Sequence, residues 1–396
     1  MKKIKNLFAN TRMKGSIVFV VGVIISFISS RILALIFTDL IGFIVLVAIV
    51  VLSFIIKTII EAKTVNKLNI INILNGDLIN EDWVEVIRLG YPLSRPLYLA
   101  EAQKLRLEIG ELVLKAAMHF KDTDYIQIDG KQIQIAKIKA STYIDAIGWS
   151  KFLLNKKDYD LAKISINQGL QFANKIDDLS DKLLVLSKGY RHIASFYIII
   201  GNHEGAKKYI QKMDDLLEKK YENSADLKIC EAFAGLYNVK AEAEIAYSKV
   251  ATPEEKILHL IQAKNFQEAS YNKIAILGDE ERKSKTFEVY AKIEIEYGDE
   301  EHYIKALDYL ETGMAMCKEQ CRRARYKTML LLLLDCYERL LMSCKSFGDG
   351  ILDEIKKIED IIYTADIEIK HKDTDIHERF RVLKKNVLQK AEACNE

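Results

Sequence analysis

Cysteine and histidine are the side chains here that most often do chemistry, and their spacing points to no catalytic centre. Cys317 and Cys321 are four residues apart, which would place both thiols on one face of a helix, and zinc can use that spacing. No third or fourth ligand lies nearby in the sequence, and a buried free cysteine usually behaves as a small apolar side chain. We interpret the pair as structural thiols and predict no metal site and no cofactor.

The motifs of nucleotide binding and of nucleophilic catalysis are missing as well. The chain has no P-loop, no G-x-G-x-x-G and no G-x-S-x-G, and its seven histidines form no H-E-x-x-H motif. Carboxylates are plentiful, but they are spread along the chain as on any solvated helix face. The sequence identifies no catalytic residue, and we expect that the protein is not an enzyme.

A long apolar block near the N-terminus indicates a membrane anchor. Residues 16–56 contain only two charged side chains, Arg31 and Asp39. A spanning helix needs about 20 apolar residues, and a single helix over this block would be about 60 Å long, twice the apolar thickness of a bilayer. We predict two spans, residues 16–37 and 40–60, with a turn near Asp39. The alternative is a cleaved signal peptide, which the second apolar stretch disfavours.

Charge on the two flanks predicts the orientation of these spans. Residues 1–15 are basic without an acid, and lysines also follow the second span, so both flanks should be cytoplasmic at the plasma membrane. Residues 1–68 hold nine basic and two acidic residues, a net charge of +7, within a chain of net charge +2. The remaining −5 predicts no binding of nucleic acid, whereas the basic N-terminus suits anionic lipid.

Small residues recur every four positions in the first span, at Gly22, Ser26 and Ser30. Such a stripe allows two helices to approach closely in lipid. The partner is either the second span of the same chain or a neighbouring copy, so a homo-oligomer stays open.

From about residue 69 onward the apolar residues recur with the period of a helix. Thr252-Pro253-Glu254-Glu255 is typical of a helix start, with threonine as N-cap and proline at the first helical position. Asp129-Gly130 lies between alternating isoleucine and glutamine, which favours a β-hairpin. The other interpretation of that segment is a plain loop followed by a helix from Lys131.

Three segments, NKKDYDLAKISINQGLQFA, IIIGNHEGAKKYIQKM and YGDEEHYIKALDYLETGM, resemble tetratricopeptide repeats. In that family small residues stand where paired helices cross, and the matching positions are Ser150, Ala194 and Ala291 in first helices and Ala162, Ala206 and Ala306 in second helices. The resemblance implies an all-α protein, in which a transmembrane helical hairpin is followed by a TPR-like α-solenoid. We expect a juxtamembrane helical region over residues 61–133, repeats over residues 134–375 and a capping helix over residues 376–396.

First helices line a concave groove in repeats of this kind. The groove-facing positions that the resemblance implies are Lys151, Asn155, Lys188, Arg191, Lys285 and Lys292. Lysine and arginine on a curved wall suit an acidic or C-terminal segment of a partner. The alternative is that these are solvated charges of ordinary helix faces.

Two functions follow as expectations. The first is a membrane-anchored cytoplasmic scaffold or adaptor that binds a protein or peptide in its groove. The second is a membrane effector, whose repeat domain senses a signal and whose spans assemble to perturb the bilayer. The second layout resembles that of bacterial stress and defence proteins, a likeness at the level of fold alone.

Overall fold

The computed structural model describes residues 70–155, 159–320, 322–343, 351–369 and 374–395. These residues are mostly helical, which confirms the all-α prediction. Residues 1–15, the two predicted spans over 16–37 and 40–60, and the stripe of Gly22, Ser26 and Ser30 lie outside the described residues. Within the described ranges, no helix has both the length and the apolar character that a membrane crossing needs.

A boundary between Ile79 and Asn80 divides the chain into two units. The described part of the first unit is a helix over residues 70–79. The second unit opens with α1 (Trp83–Gly90), a 3₁₀ turn (Tyr91–Leu93), α2 (Ser94–Leu99) and α3 (Gln103–Ala117). The chain turns between α2 and α3, where Glu101 has a φ of 57°.

The hairpin interpretation of the Asp129-Gly130 segment is confirmed. Strands β1 (Tyr125–Ile128) and β2 (Lys131–Gln134) are antiparallel, with Ile126 opposite Ile133. Asp129 and Gly130 have φ of 48° and 80°, the left-handed values that a tight two-residue hairpin turn requires of both central residues.

A single continuous helical run follows the hairpin and changes its winding midway. It starts as α4 (Ile135–Ser141), widens into a π-helical stretch (Thr142–Trp149) and closes as α5 (Ser150–Leu154). π-Helical turns are rare and often occur at functional sites, because the wider turn re-aims the side chains it carries.

The remaining helices pack in sequence, each against the next. They are α6 (Tyr159–Ala173), α7 (Leu179–Ile199), α8 (His203–Leu216), α9 (Leu227–Ser248), α10 (Pro253–Leu277), α11 (Glu280–Tyr297), α12 (Glu300–Glu319), α13 (Arg323–Ser343), α14 (Ile351–Ile369) and α15 (Thr374–Asn395). Consecutive apolar clusters fill the space between them, so the core is a series of contacts between neighbouring helices.

Local capping sets where several of these helices begin. The Thr252 hydroxyl accepts from the Glu255 backbone N–H, and the Glu255 carboxylate accepts from the Thr252 N–H. This reciprocal pair confirms the predicted start of α10. Asn202 caps α8 in a simpler way, by accepting from the Gly205 N–H at 2.8 Å.

The six small residues expected at helix crossings are all fully buried, with no exposed surface. They are Ser150, Ala162, Ala194, Ala206, Ala291 and Ala306. A larger side chain at these places would push the paired helices apart. The burial agrees with close packing of paired helices, while membership in the tetratricopeptide family stays a prediction.

Candidate functional site

Residues 91–102, which we call the strap, join the start of the helical unit to two helices that follow about 200 residues later. Arg95 Nη2 lies 3.4 Å from Asp279 Oδ2, at the N-terminus of α11. Both Glu101 carboxylate oxygens accept from the Ala324 N–H at 2.8 Å, at the N-terminus of α13. An anion is favourable there because the first N–H groups of a helix have no partner within the helix.

The strap and the helices behind it enclose a cavity of about 650 Å³. Side chains from α3, α4, the π-helical stretch, α7, α9, α10, α11 and α13 line it, together with Tyr98 and Arg95 of the strap. A volume between about 300 and 1,000 Å³ is typical of small-ligand sites. The cavity therefore has the size of a small-ligand site.

Basic side chains dominate the charged groups of this wall. The lining includes only two carboxylates, Asp145 and Glu242, against eight cations. The eight cations are Arg95, Arg106, Lys137, Lys188, Arg191, Arg282, Lys285 and Arg325.

Carboxylates in or directly behind the wall neutralise most of these cations. Glu231 accepts from Lys188 Nζ at 2.8 Å and from Arg282 Nη2 at 2.5 Å. Lys285 Nζ lies 2.7 Å from Glu242 and 3.3 Å from Glu288. Burial alone would raise the pKa of Glu231, but the two cations outweigh it and lower that pKa to about 2.

Arg106 and Arg191 are the two cations of the wall with no carboxylate partner among the residues that the structure describes. Arg106 is buried and donates from Nε to Ser94 Oγ at 3.2 Å and from Nη1 to Ser150 Oγ at 3.5 Å. Arg191 has no direct ion pair with a described carboxylate; Arg282 repels its charge, whereas Asp145 and Glu231 attract it at longer range. Burial lowers the pKa of both guanidinium groups, as expected where a cation is shielded from water.

The π-helical stretch adds a polar pair to the same wall. His192 Nε2 donates to Asp145 Oδ1 at 3.1 Å, and the imidazole stacks on Trp149 with ring centroids 4.2 Å apart. Burial lowers the pKa of His192 to about 4, although the bond to Asp145 opposes that change. His192 is therefore neutral at pH 7, and Asp145 is ionised, because this hydrogen bond and nearby Lys188 hold its pKa well below the usual range despite burial.

Three of the six groove residues expected from the sequence meet in this cavity: Lys188, Arg191 and Lys285. Lys292 does not line the cavity. Its Nζ lies 2.5 Å from Glu288, the same carboxylate that pairs with the cavity residue Lys285. Lys151 is partly buried and Asn155 exposed, and neither lines the chamber. Helices α7, α9, α11 and α13 supply much of the lining, α10 adds Ser270 and Ile274, and no described residue of α8 or α12 lines the cavity.

Sequence reasoning missed Arg106, Asp145, Arg282 and the strap. Arg106 interrupts the apolar stripe of α3, and a charge at a core position is a recognisable signal. Asp145 carried no such signal, because its direction depends on the π-helical winding. The strap depends on contacts across more than 180 residues, between Arg95 and Asp279.

Within the part of the chain that the structure describes, no group of three or more histidine, cysteine or acidic side chains is arranged to hold a metal ion. Cys317 is a buried free thiol, and burial raises its pKa, so it is a poor nucleophile. Cys321 lies outside the described residues.

No protein-family model matches this chain, and no curated protein matches it in sequence. The geometry and charge of the cavity are therefore the features that bear on function.

Proposed function

We propose that this protein is a binding protein whose helical domain holds an anionic ligand in the cation-lined cavity. The observation that carries the proposal is the pair Arg106 and Arg191, two cations in one cavity that form no direct ion pair with a described carboxylate, although Asp145 attracts both at longer range. An isolated buried charge is unfavourable, and a bound anion would relieve both cations at once. The surrounding ion pairs hold the rest of the wall in place.

The proposal includes a membrane anchor and a TPR-like architecture. Support for the anchor is the apolar block of residues 16–56, which contains two charged side chains. Support for the architecture is the burial of the six small residues at the expected helix crossings. The N-terminus and the helical domain are proposed to lie in the cytoplasm at the plasma membrane.

Two forms of this function are open, an adaptor and a sensor. In the adaptor, the acidic or C-terminal end of a partner protein enters the cavity. In the sensor, a compact ligand enters, and its binding controls assembly of the membrane spans. The strap favours the sensor, because it lines the cavity and is tied to α11 and α13, which leaves less room for an extended peptide.

A thermal-shift experiment on the full-length chain in detergent tests the binding proposal. The probes are succinate, inorganic phosphate and an oligo-aspartate peptide, each added to wild type, Arg191→Gln and the matched surface control Lys207→Gln. A ligand at 100 times its dissociation constant stabilises the fold by about 2.7 kcal/mol. We expect at least one anion to raise the melting temperature of wild type and the control, but not of Arg191→Gln. If no anion does so, the proposal is wrong.

A reporter protein fused after Glu396 tests the proposed orientation and should be active only if that end of the chain lies in the cytoplasm.

Overexpression separates the adaptor from the sensor. Overexpression of an effector should permeabilise the membrane, and deletion of residues 16–60 should abolish that effect, whereas an adaptor should be tolerated. Permeabilisation by wild type but not by Arg191→Gln would link the cavity to the spans.

A further inference from the structure

We propose that the ligand of this cavity carries a phosphoryl group, bound between Arg106 and Arg191. The inference rests on the proposed anion-binding function and names the chemical class of the anion. Both cations are arginines. An arginine presents five N–H donors in a planar fork, which suits phosphate better than the point charge of a lysine does.

The donors available in the cavity exceed what a carboxylate can use. The two guanidinium groups together hold ten N–H donors, of which Arg106 spends two on the hydroxyls of Ser94 and Ser150. Arg191 spends none on described residues. A carboxylate has two oxygens, both in one plane, whereas a phosphoryl group has three terminal oxygens that accept from several directions.

The charge of the cavity also favours a phosphoryl group over a carboxylate. The cavity holds two arginines without a direct ion pair, and a phosphomonoester carries a charge of about −1.5 to −2 at pH 7. A single carboxylate carries −1 and would leave one arginine without a directly paired counter-charge. Asp145 attracts both arginines at longer range, but it accepts a hydrogen bond from His192, and Glu242 is paired with Lys285.

The backbone beside Arg191 is shaped to admit its guanidinium. Gly235 of α9 faces it, and a Cβ atom there would lie 2.9 Å from Arg191 Nη1. The Gly235→Ala substitution therefore displaces the guanidinium while every charge of the cavity is kept. Because alanine is favoured over glycine inside a helix, this variant is expected to fold.

Calorimetric titration of the full-length chain in detergent tests the inference. The probes are inorganic phosphate, free O-phosphoserine, a short phosphoserine peptide, and acetate as the single-carboxylate control. We expect the phosphorylated probes to bind at least tenfold more tightly than acetate. Arg106→Gln and Arg191→Gln should each weaken that binding tenfold or more, and Lys207→Gln should not change it.

Two further variants still test the inference if Arg106→Gln fails to fold. Arg191→Lys retains the charge but loses the fork, and Gly235→Ala retains the fork but moves it. Each should weaken the binding of O-phosphoserine several-fold, with an unchanged helical spectrum. Equal affinity of wild type and both variants for O-phosphoserine would overturn the inference.

The pH dependence supplies a readout that is specific to phosphate. The second ionisation of a phosphomonoester has a pKa near 6, so affinity for O-phosphoserine should rise between pH 5.5 and 7.5. Binding of acetate should change less over the same range, because a simple carboxylate is already ionised at pH 5.5. His192 does not interfere, because it is neutral throughout, with a pKa lowered to about 4, and its partner Asp145 stays ionised.

The outcomes identify the source of the phosphoryl group, and they separate failure of the phosphoryl inference from failure of the anion-binding function. Free O-phosphoserine binding as tightly as the peptide supports a small phosphorylated metabolite, and tenfold tighter binding of the peptide supports a phosphorylated protein partner. Acetate binding that equals or exceeds phosphate binding and is lost in Arg191→Gln overturns the phosphoryl inference and leaves the anion-binding function standing. Binding of no anion overturns both.

Discussion

Substitution of Glu231 by glutamine should move stability and ligand affinity in opposite directions. Glu231 accepts from Lys188 and from Arg282, and Arg191 lies within the field of the same carboxylate. Glu231→Gln keeps the size of the side chain and removes the negative charge. Three cations of the cavity then face one another with less compensation.

The magnitude follows from the ion pairs. The pKa of Glu231 is lowered from 4.5 to about 2, and each pKa unit corresponds to about 1.4 kcal/mol. The native environment thus favours the ionised carboxylate by about 3 kcal/mol. Because a glutamine oxygen still accepts one hydrogen bond, we expect a loss of about 2 kcal/mol in the free energy of unfolding at pH 7.

The same change should strengthen the binding of an anion. One fewer negative charge beside Arg191 raises the positive potential of the chamber, and a gain of about 1.4 kcal/mol would tighten binding tenfold. We therefore expect Glu231→Gln to bind O-phosphoserine several-fold more tightly than wild type. Its melting temperature should also rise more on saturation with that ligand.

Denaturation followed by far-ultraviolet circular dichroism, together with calorimetry, measures both effects on the full-length chain. Glu319→Gln on the exposed end of α12 is the matched control and should change neither quantity. The stability contribution of Glu231 is complete above about pH 4.5 and is lost as the pH falls towards 2, because its folded pKa is depressed. The gap between wild type and Glu231→Gln should therefore close over that range. A destabilised variant with unchanged or weaker anion affinity would refute the electrostatic reasoning.

Three further predictions concern packing, the strap and a helix start. Ala206→Leu should destabilise the helical domain by about 1–3 kcal/mol in chemical denaturation, because Ala206 has no exposed surface and a larger side chain forces α7 and α8 apart; an unchanged midpoint would place it away from a crossing. Glu101→Gln should weaken the hold of the strap on the N-terminus of α13, so hydrogen exchange over residues 91–102 should quicken while the core of α9 keeps its protection. Thr252→Ala should cost about 1 kcal/mol in the same denaturation assay, since it removes one half of the reciprocal cap with Glu255, and a loss near zero would show that Pro253 alone starts the helix.

Short-range features of this chain were readable without a structure. The Thr252 cap depends on residues three positions apart, and the Asp129-Gly130 turn depends on two adjacent residues that tolerate a positive φ. Both were therefore predictable. The small residues such as Ala206 were predictable for a related reason, because a helical period places them on the buried face of their own helix.

Part of the cavity was also within reach of the sequence. Lys188 and Arg191 lie on α7 three positions apart, so they share a face, and a repeat arrangement places that face towards the concave side. What the sequence alone left open is which of the two is neutralised. The answer depends on Glu231, which lies on the next first helix, 43 residues after Lys188.

The sequence by itself determined the helical class, the positions of the turns and the apolar block of residues 16–56, because these depend on residue type and on spacing within a few turns of a helix. Only the tertiary structure decided that the strap is tied to α11 and α13 and that two arginines of the cavity have no direct ion pair with a described carboxylate. The tie to α13 joins Glu101 to Ala324, residues 223 positions apart, and no local pattern encodes such a distance. The electrostatic surroundings of Arg191 depend on the whole wall, since the nearby carboxylates Glu231 and Glu242 pair directly with other cations and Glu231 attracts Arg191 only at longer range.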